Sequence, residues 1–92
     1  MKVILEFNRV LAHHYPRKEL SVEVRDNGVL GDLFQSVSRL EEPRLPESLW
    51  NYDEDRFRGP VLLTSGGRVI RDKNEKLFNG QRIVLRRCIV GG

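Results

Sequence analysis

One cysteine, Cys88, and one adjacent histidine pair, His13-His14, are all the thiol and imidazole chemistry in these 92 residues. A lone cysteine excludes an intramolecular disulfide framework, and no Cys/His set has the spacing of a zinc site. His13-His14 supplies at most part of a site, and neighbouring loop histidines are ordinarily solvated. No apolar run approaches bilayer-spanning length, and the apolar stretch within residues 1–6 is too short for a signal peptide. The expectation is a soluble cytoplasmic protein with no membrane partner, no metal site and no bound cofactor. The length allows one domain with one modest core.

What is present is charge, unevenly spread. The net value is +3, from 16 basic and 13 acidic residues. Residues 41–55 carry Glu41, Glu42, Glu47, Asp53, Glu54 and Asp55 against Arg44 alone. Residues 66–88 carry Arg68, Arg71, Lys73, Lys76, Arg82, Arg86 and Arg87 against Asp72 and Glu75. A basic block of this kind steers association with an acidic partner or with nucleic acid. The separate cations of 68–76 read better as a solvated face.

Val3, Leu5 and Phe7 alternate with Ile4 and Glu6, which predicts a first strand over about residues 2–10. Leu20, Val22 and Val24 alternate with Ser21, Glu23 and Arg25 as a half-buried second strand, joined to the first through a loop around 11–17. Asp26-Asn27-Gly28 is a turn. Leu30, Leu33, Phe34, Val37 and Leu40 then form one apolar helical stripe, with Asp32, Gln35, Ser36 and Arg39 facing out. Gly31 weakens the first turn of that helix, and Pro43 stops it. In residues 41–59, Pro46 starts one short turn, and Trp50, Tyr52 and Phe57 tuck the acidic loop onto the core. Val61-Leu62-Leu63 is a short buried strand. Ser65-Gly66-Gly67-Arg68 is a tight turn with a return at Val69-Ile70. Asn79-Gly80 is a further turn, and residues 83–90 form the closing strand.

A hairpin, a helix and three further strands bury these patterns when the first and last strands lie parallel and the helix crosses one face. That is a β-grasp arrangement, in the α+β class, with a mixed sheet of four or five strands. The predicted domain covers residues 1–90, and Gly91-Gly92 forms a flexible tail. By ordinary usage two glycines fall on a given pair of positions about 0.5% of the time. A closing strand followed by two residues without side chains delivers a narrow, ionised carboxylate to the surface. Those are the properties needed to thread a carboxyl group into another protein's active site. A frayed terminus is the plain alternative.

The motifs from residue 61 onward resemble the ubiquitin-like sulfur carriers, most closely the small subunit of molybdopterin synthase (MoaD) and next the thiamine-pathway carrier (ThiS). Val61-Leu62-Leu63-Thr64-Ser65-Gly66-Gly67-Arg68-Val69, Leu77-Phe78-Asn79-Gly80-Gln81-Arg82-Ile83 and Cys88-Ile89-Val90-Gly91-Gly92 carry the likeness. Leu30-Gly31-Asp32-Leu33-Phe34 sits where that family begins its helix. The chain departs from it at Asn79-Gly80-Gln81, where Asp-Gly-Asp is frequent, and at Arg87-Cys88, where the molybdopterin branch often has Pro-Pro.

The resemblance implies a carrier with no catalytic constellation of its own. Its partners would be an E1-like adenylating enzyme that uses ATP, a persulfide sulfur donor, and a larger synthase subunit or other acceptor. Gly92 would be adenylated and converted to a thiocarboxylate. Gly91 and Val90 would thread the activating channel, and Arg86, Arg87 and Ile89 would meet the partner. Thiamine-pathway and tRNA-thiolation carriers fit the same pattern. So does a ubiquitin-like modifier that forms isopeptide bonds through Gly92. An RNA-binding module using Arg82, Arg86 and Arg87 fits least, because the basic block has only Phe78 for stacking on bases. Cys88 reads as a small apolar residue of the last strand. Its sharper reading is a thiol close enough to trap a Gly92 thiocarboxylate as an acyl disulfide.

Overall fold

Alternation builds β1 (Lys2–Phe7), whose Val3, Leu5 and Phe7 are buried while Lys2, Ile4 and Glu6 face the other way. The computed structural model describes residues 1–8, 18–42 and 44–87, with Arg87 described in its backbone only. β1 is shorter than the strand expected over 2–10. It ends before Asn8, a residue type that strands disfavour. The rest of that expected strand, the 11–17 loop and His13-His14 lie outside the described residues. β2 (Glu19–Glu23) pairs antiparallel with β1, Val3 opposite Val22 and Leu5 opposite Leu20. Val24 extends the pairing by donating its N–H to Met1 O at 2.8 Å. The following turn puts Asn27 at φ 61°. Gly28 serves a close approach: a Cβ there would sit 2.8 Å from Val24 Cγ1.

The apolar stripe does form a helix, α1 (Leu30–Arg39), burying Leu30, Leu33 and Val37. Its first turn corrects two expectations. Asp32 does not simply face solvent: its carboxylate accepts the Val29 N–H at 2.8 Å and the Arg25 Nε at 3.1 Å, capping the helix from inside. The Val29 bond chiefly, with Arg25 adding and partial burial opposing, holds the Asp32 carboxyl below its ordinary range. Nor does Gly31 leave a loose turn. The Gly31 N–H donates to Lys73 O and the Leu30 N–H to Glu75 O, both at 2.9 Å. Residues 71–76 thus satisfy the free donors of the helix start with backbone carbonyls.

Residues 41–59 hold a small second sheet, β3 (Trp50–Asn51) against β4 (Arg56–Phe57), with Trp50 opposite Phe57. The expected turn at Pro46 is present, its carbonyl accepting from Leu49 and Trp50 at 3.0 Å. Leu45, Leu49, Trp50 and Phe57 are buried in the common core. Trp50 meets Phe57 edge-on at 4.7 Å and Phe34 at 5.7 Å. Its indole N–H is satisfied by Ser38 Oγ at 2.9 Å. Trp50 and Phe57 of this acidic segment are core residues and Tyr52 packs half-buried against them, so the aromatics do tuck the loop onto the core. Full burial of side chains this size contributes about 1.5–3 kcal/mol each.

β5 (Val61–Ser65) and β6 (Arg68–Val69) form a hairpin whose Gly66 and Gly67 both have positive φ, the pair a type I′ turn requires. β5 is less buried than expected; only Leu63 is enclosed, because Leu62 and Thr64 project to the uncovered side of the sheet. β7 (Gln81–Arg87) runs between β1 and β5, and the strand order is β2-β1-β7-β5-β6. β7 is parallel to β1 and antiparallel to β5. No described helix is long and apolar enough to cross a membrane.

Candidate functional site at the end of the central strand

Ile83 and Leu85 of β7 are fully enclosed against β1 and β5. This fixes the direction in which the chain leaves the sheet. At the start of β7, Gly80 takes φ 82° and donates its N–H to Lys2 O at 2.7 Å. Asn79 Oδ1 accepts the Lys2 N–H at 2.9 Å. Gln81 is 2% exposed: its Oε1 accepts the Phe78 N–H, and its Nε2 donates to Ser65 Oγ at 2.9 Å. The departure from Asp-Gly-Asp therefore has a physical basis. Gln81 satisfies a loop donor and a neighbouring hydroxyl inside the fold, and its neutral amide is buried without the desolvation cost of a carboxylate.

The other parity of β7 faces the uncovered side of the sheet. Arg82, Val84 and Arg86 lie there beside Ile4, Glu6, Leu62 and Thr64. Ile4, Leu62, Val84 and Thr64 are half-buried, a modest apolar strip bounded by charge. Arg82 bridges Glu19 and Glu6, the second at 3.3 Å. The hydrogen bond and charge of Glu19, then those of Glu6, hold its guanidinium firmly protonated. That bridge offsets the repulsion of Glu6 and Glu19, which stand directly opposite each other. Arg86, opposite Leu62, is exposed and has no ion-pair partner among the described residues. The basic block is thus divided. Arg68 is held by both oxygens of Glu75 at 2.9 and 3.2 Å, on the far hairpin, while Arg86, near the end of β7, is exposed and unengaged among the described residues.

Of the residues singled out from the sequence, the structure places Arg86 at the surface and the Arg87 backbone opposite Val61. Cys88, Ile89, Val90, Gly91 and Gly92 lie outside the described residues. Ile4, Leu62 and Val84 were not singled out. The available signal was Ile4, an apolar residue in the polar phase of β1. Among the described residues, two shallow clefts are lined by α1. One holds Gly31, Phe34, Gln35, Glu54, Asp55 and Lys73; the other holds Arg25, Asp32, Gln35, Ser36 and Arg39. Neither includes a residue of β7. Among the described residues no three His, Cys, Asp or Glu side chains are grouped to hold a metal ion.

A mixed sheet with parallel first and last strands, crossed by one helix, defines a ubiquitin-like β-grasp domain. Among solved structures the chain is similar to SAMP1 from Haloferax volcanii, with TM-score 0.72, 16% identity and 100% of both chains covered. It is similar to a Pyrococcus furiosus protein described as molybdopterin converting factor, subunit 1, with TM-score 0.63, 21% identity, and 92% of this chain and 94% of that one covered. It is also similar to a chain of the BexX/CysO complex of Amycolatopsis orientalis, with TM-score 0.61, 15% identity, and 98% and 99% covered. No protein-family model and no curated protein matches the sequence. The likeness that the sequence shows most sharply in its last third extends, as a fold, across the chain.

Proposed function

We propose that this protein is a ubiquitin-like sulfur carrier whose Gly92 carboxylate is the working group, serving molybdopterin-type cofactor synthesis. The observation that carries the reading is the position of β7. β7, central in the sheet, precedes Gly91-Gly92 in the sequence, and the last of its described side chains, Arg86, is exposed with no ion-pair partner among the described residues. The similarity to a molybdopterin converting factor subunit supports the choice of pathway.

An E1-like enzyme docks on the uncovered face around Ile4, Leu62 and Val84, with Arg86 meeting acidic groups beside its ATP site. The Gly92 carboxylate attacks the α-phosphate of ATP, and pyrophosphate leaves. The terminal sulfur of a persulfide donor displaces AMP from the acyl-adenylate. A thiol then attacks the donor-side sulfur of the resulting acyl disulfide, forming a disulfide with the donor cysteine and releasing a thiocarboxylate on Gly92, which passes its sulfur to an acceptor in a larger synthase subunit. Glycine at both final positions keeps the channel and the line of attack free of a Cβ. The protein acts as co-substrate, and ATP belongs to the partner.

Intact-mass measurement after incubation with an E1-like enzyme, ATP and a persulfide donor tests this. The expected product has one oxygen replaced by sulfur at Gly92, and an unchanged mass refutes the reading. A second reading, a protein modifier, is favoured by the similarity to a structure of H. volcanii small archaeal modifier protein 1 (TM-score 0.68, 16% identity). Higher-mass conjugates that vanish when Gly91-Gly92 is removed would select it.

A further inference from the structure

Among the described residues, the backbone of β2 has partners on one side only. In its ladder with β1, the Phe7 N–H donates to Lys18 O at 2.9 Å and the Val24 N–H to Met1 O at 2.8 Å. That phase gives Leu20 and Val22 the bonds to Leu5 and Val3. The N–H and C=O groups of Glu19, Ser21 and Glu23 therefore point outward. β2 is an outer strand, and these groups have no hydrogen-bond partner among the described residues. The opposite edge, β6, is only two residues long. A cleft lined by Arg25, just beyond β2, and by the α1 stripe Asp32, Gln35, Ser36 and Arg39 gives space on the helix side.

Side chains decide what can add there. Glu19, Ser21 and Glu23 are exposed on the uncovered face of the sheet. Two copies of this chain pairing about a two-fold axis at Ser21 would set Glu19 of each against Glu23 of the other, two like-charge pairs that oppose association. An added strand with cations at those positions meets opposite charge instead. Glu19 already accepts from Arg82, whereas the Glu23 carboxylate is 78% exposed, with the N-terminal ammonium at 4.0 Å and Lys2 opposite it on β1. Glu23 is the stronger determinant.

We infer that the outer edge of β2 is a docking site for an extended segment of another protein, one that carries Lys or Arg four residues apart with a small residue midway. The segment joins the sheet through the outward groups of Glu19, Ser21 and Glu23. Its alternate side chains oppose Glu19 and Glu23 on one face and enter the Arg25–Arg39 cleft on the other. This site is independent of the tail chemistry.

The test is an amide-resolved NMR titration of the full chain with the capped peptide Thr-Lys-Val-Ser-Val-Lys-Thr and its counterpart with Glu at both Lys positions. The expected result is shifts and slowed hydrogen exchange at Glu19, Ser21 and Glu23 with the Lys peptide only. Ser21→Pro removes the central outward donor at an edge position where proline is tolerated. It should abolish binding with the melting temperature nearly unchanged. Glu23→Lys should weaken the Lys peptide about two- to fivefold and let the Glu peptide bind. If Ser21→Pro fails to fold, the Glu23→Lys comparison decides alone. Equal affinity for both peptides, unaltered exchange at the three amides, or peptide-free dimerisation that protects them would each overturn the assignment.

Discussion

At the start of β7, Gln81 is 2% exposed and its amide is used from both ends, while Asn79 and Gly80 tie the preceding turn to Lys2. Further along the same strand, Arg86 is exposed and no ion-pair partner engages it among the described residues. Both ends carry polar side chains, but the first set faces inward to other parts of the chain and the second faces out. One strand thereby separates two tasks. Its start fixes register and direction, and near its end an exposed charge has no ion-pair partner among the described residues. Changes at the first should alter stability, and changes at the second should alter association.

The largest expected effect is at the tail. Deleting Gly92 should abolish adenylation by the activating enzyme, read as ATP–pyrophosphate exchange, with the melting temperature unchanged. A substantial fall in melting temperature would make the tail structural and erase the contrast between the ends. Gly91→Val should likewise block exchange while sparing the fold, since its branched side chain adds bulk beside the backbone.

Next is Gln81→Ala, which strands the Phe78 N–H and should cost about 1–3 kcal/mol. Each kcal/mol lowers the melting temperature by roughly 4–8 °C in a domain this size. The folded fraction should still be activated normally. Impaired activation at full folding would mean that the start of β7 also contacts the partner.

Arg86→Glu should leave the melting temperature in place, slow association with the activating enzyme, and flatten or invert its dependence on salt. Unaltered stopped-flow kinetics at low ionic strength would leave recognition to the apolar strip alone.

The smallest effect concerns acid. Asp32 has a folded-state pKa below its unfolded value, so its contribution is present above about pH 4 and is lost as pH falls through the lower folded value. Denaturant melts should show the wild type losing more stability than Asp32→Asn below about pH 4, with no difference in slope above about pH 5. Parallel curves throughout would show that the Val29 and Arg25 contacts do not persist in solution.

The sheet and helix were legible because their side chains carry the periods of two and 3.6 that one-sided burial imposes. Val3, Leu5, Leu20 and Val22 announce one face; Leu30, Leu33 and Val37 announce the other layer. Two-residue strands have no period, so β3 and β4 left no trace beyond their aromatics. The support of the helix start by Lys73 and Glu75 was invisible for another reason. Its acceptors are main-chain carbonyls, which every residue has. Within the site, the resemblance pointed to Arg86 and Arg87, and the structure places Arg86 at the surface. The strip of Ile4, Leu62 and Val84 was missed, because it exists only once three strands are in register.

The parallel pairing of β1 with β7 also has a consequence in time. Among the described strands, the one that fills the middle of the sheet is synthesised last, and its partner β1 first. Contacts between such distant segments form slowly, and here they cannot form on the ribosome until residues 81–87 have emerged. A nascent chain stopped before residue 81 leaves β1 and β5 with no strand between them and Leu5 and Leu63 uncovered. It is then open to proteolysis. A molecule that has acquired this core has therefore already been translated through β7.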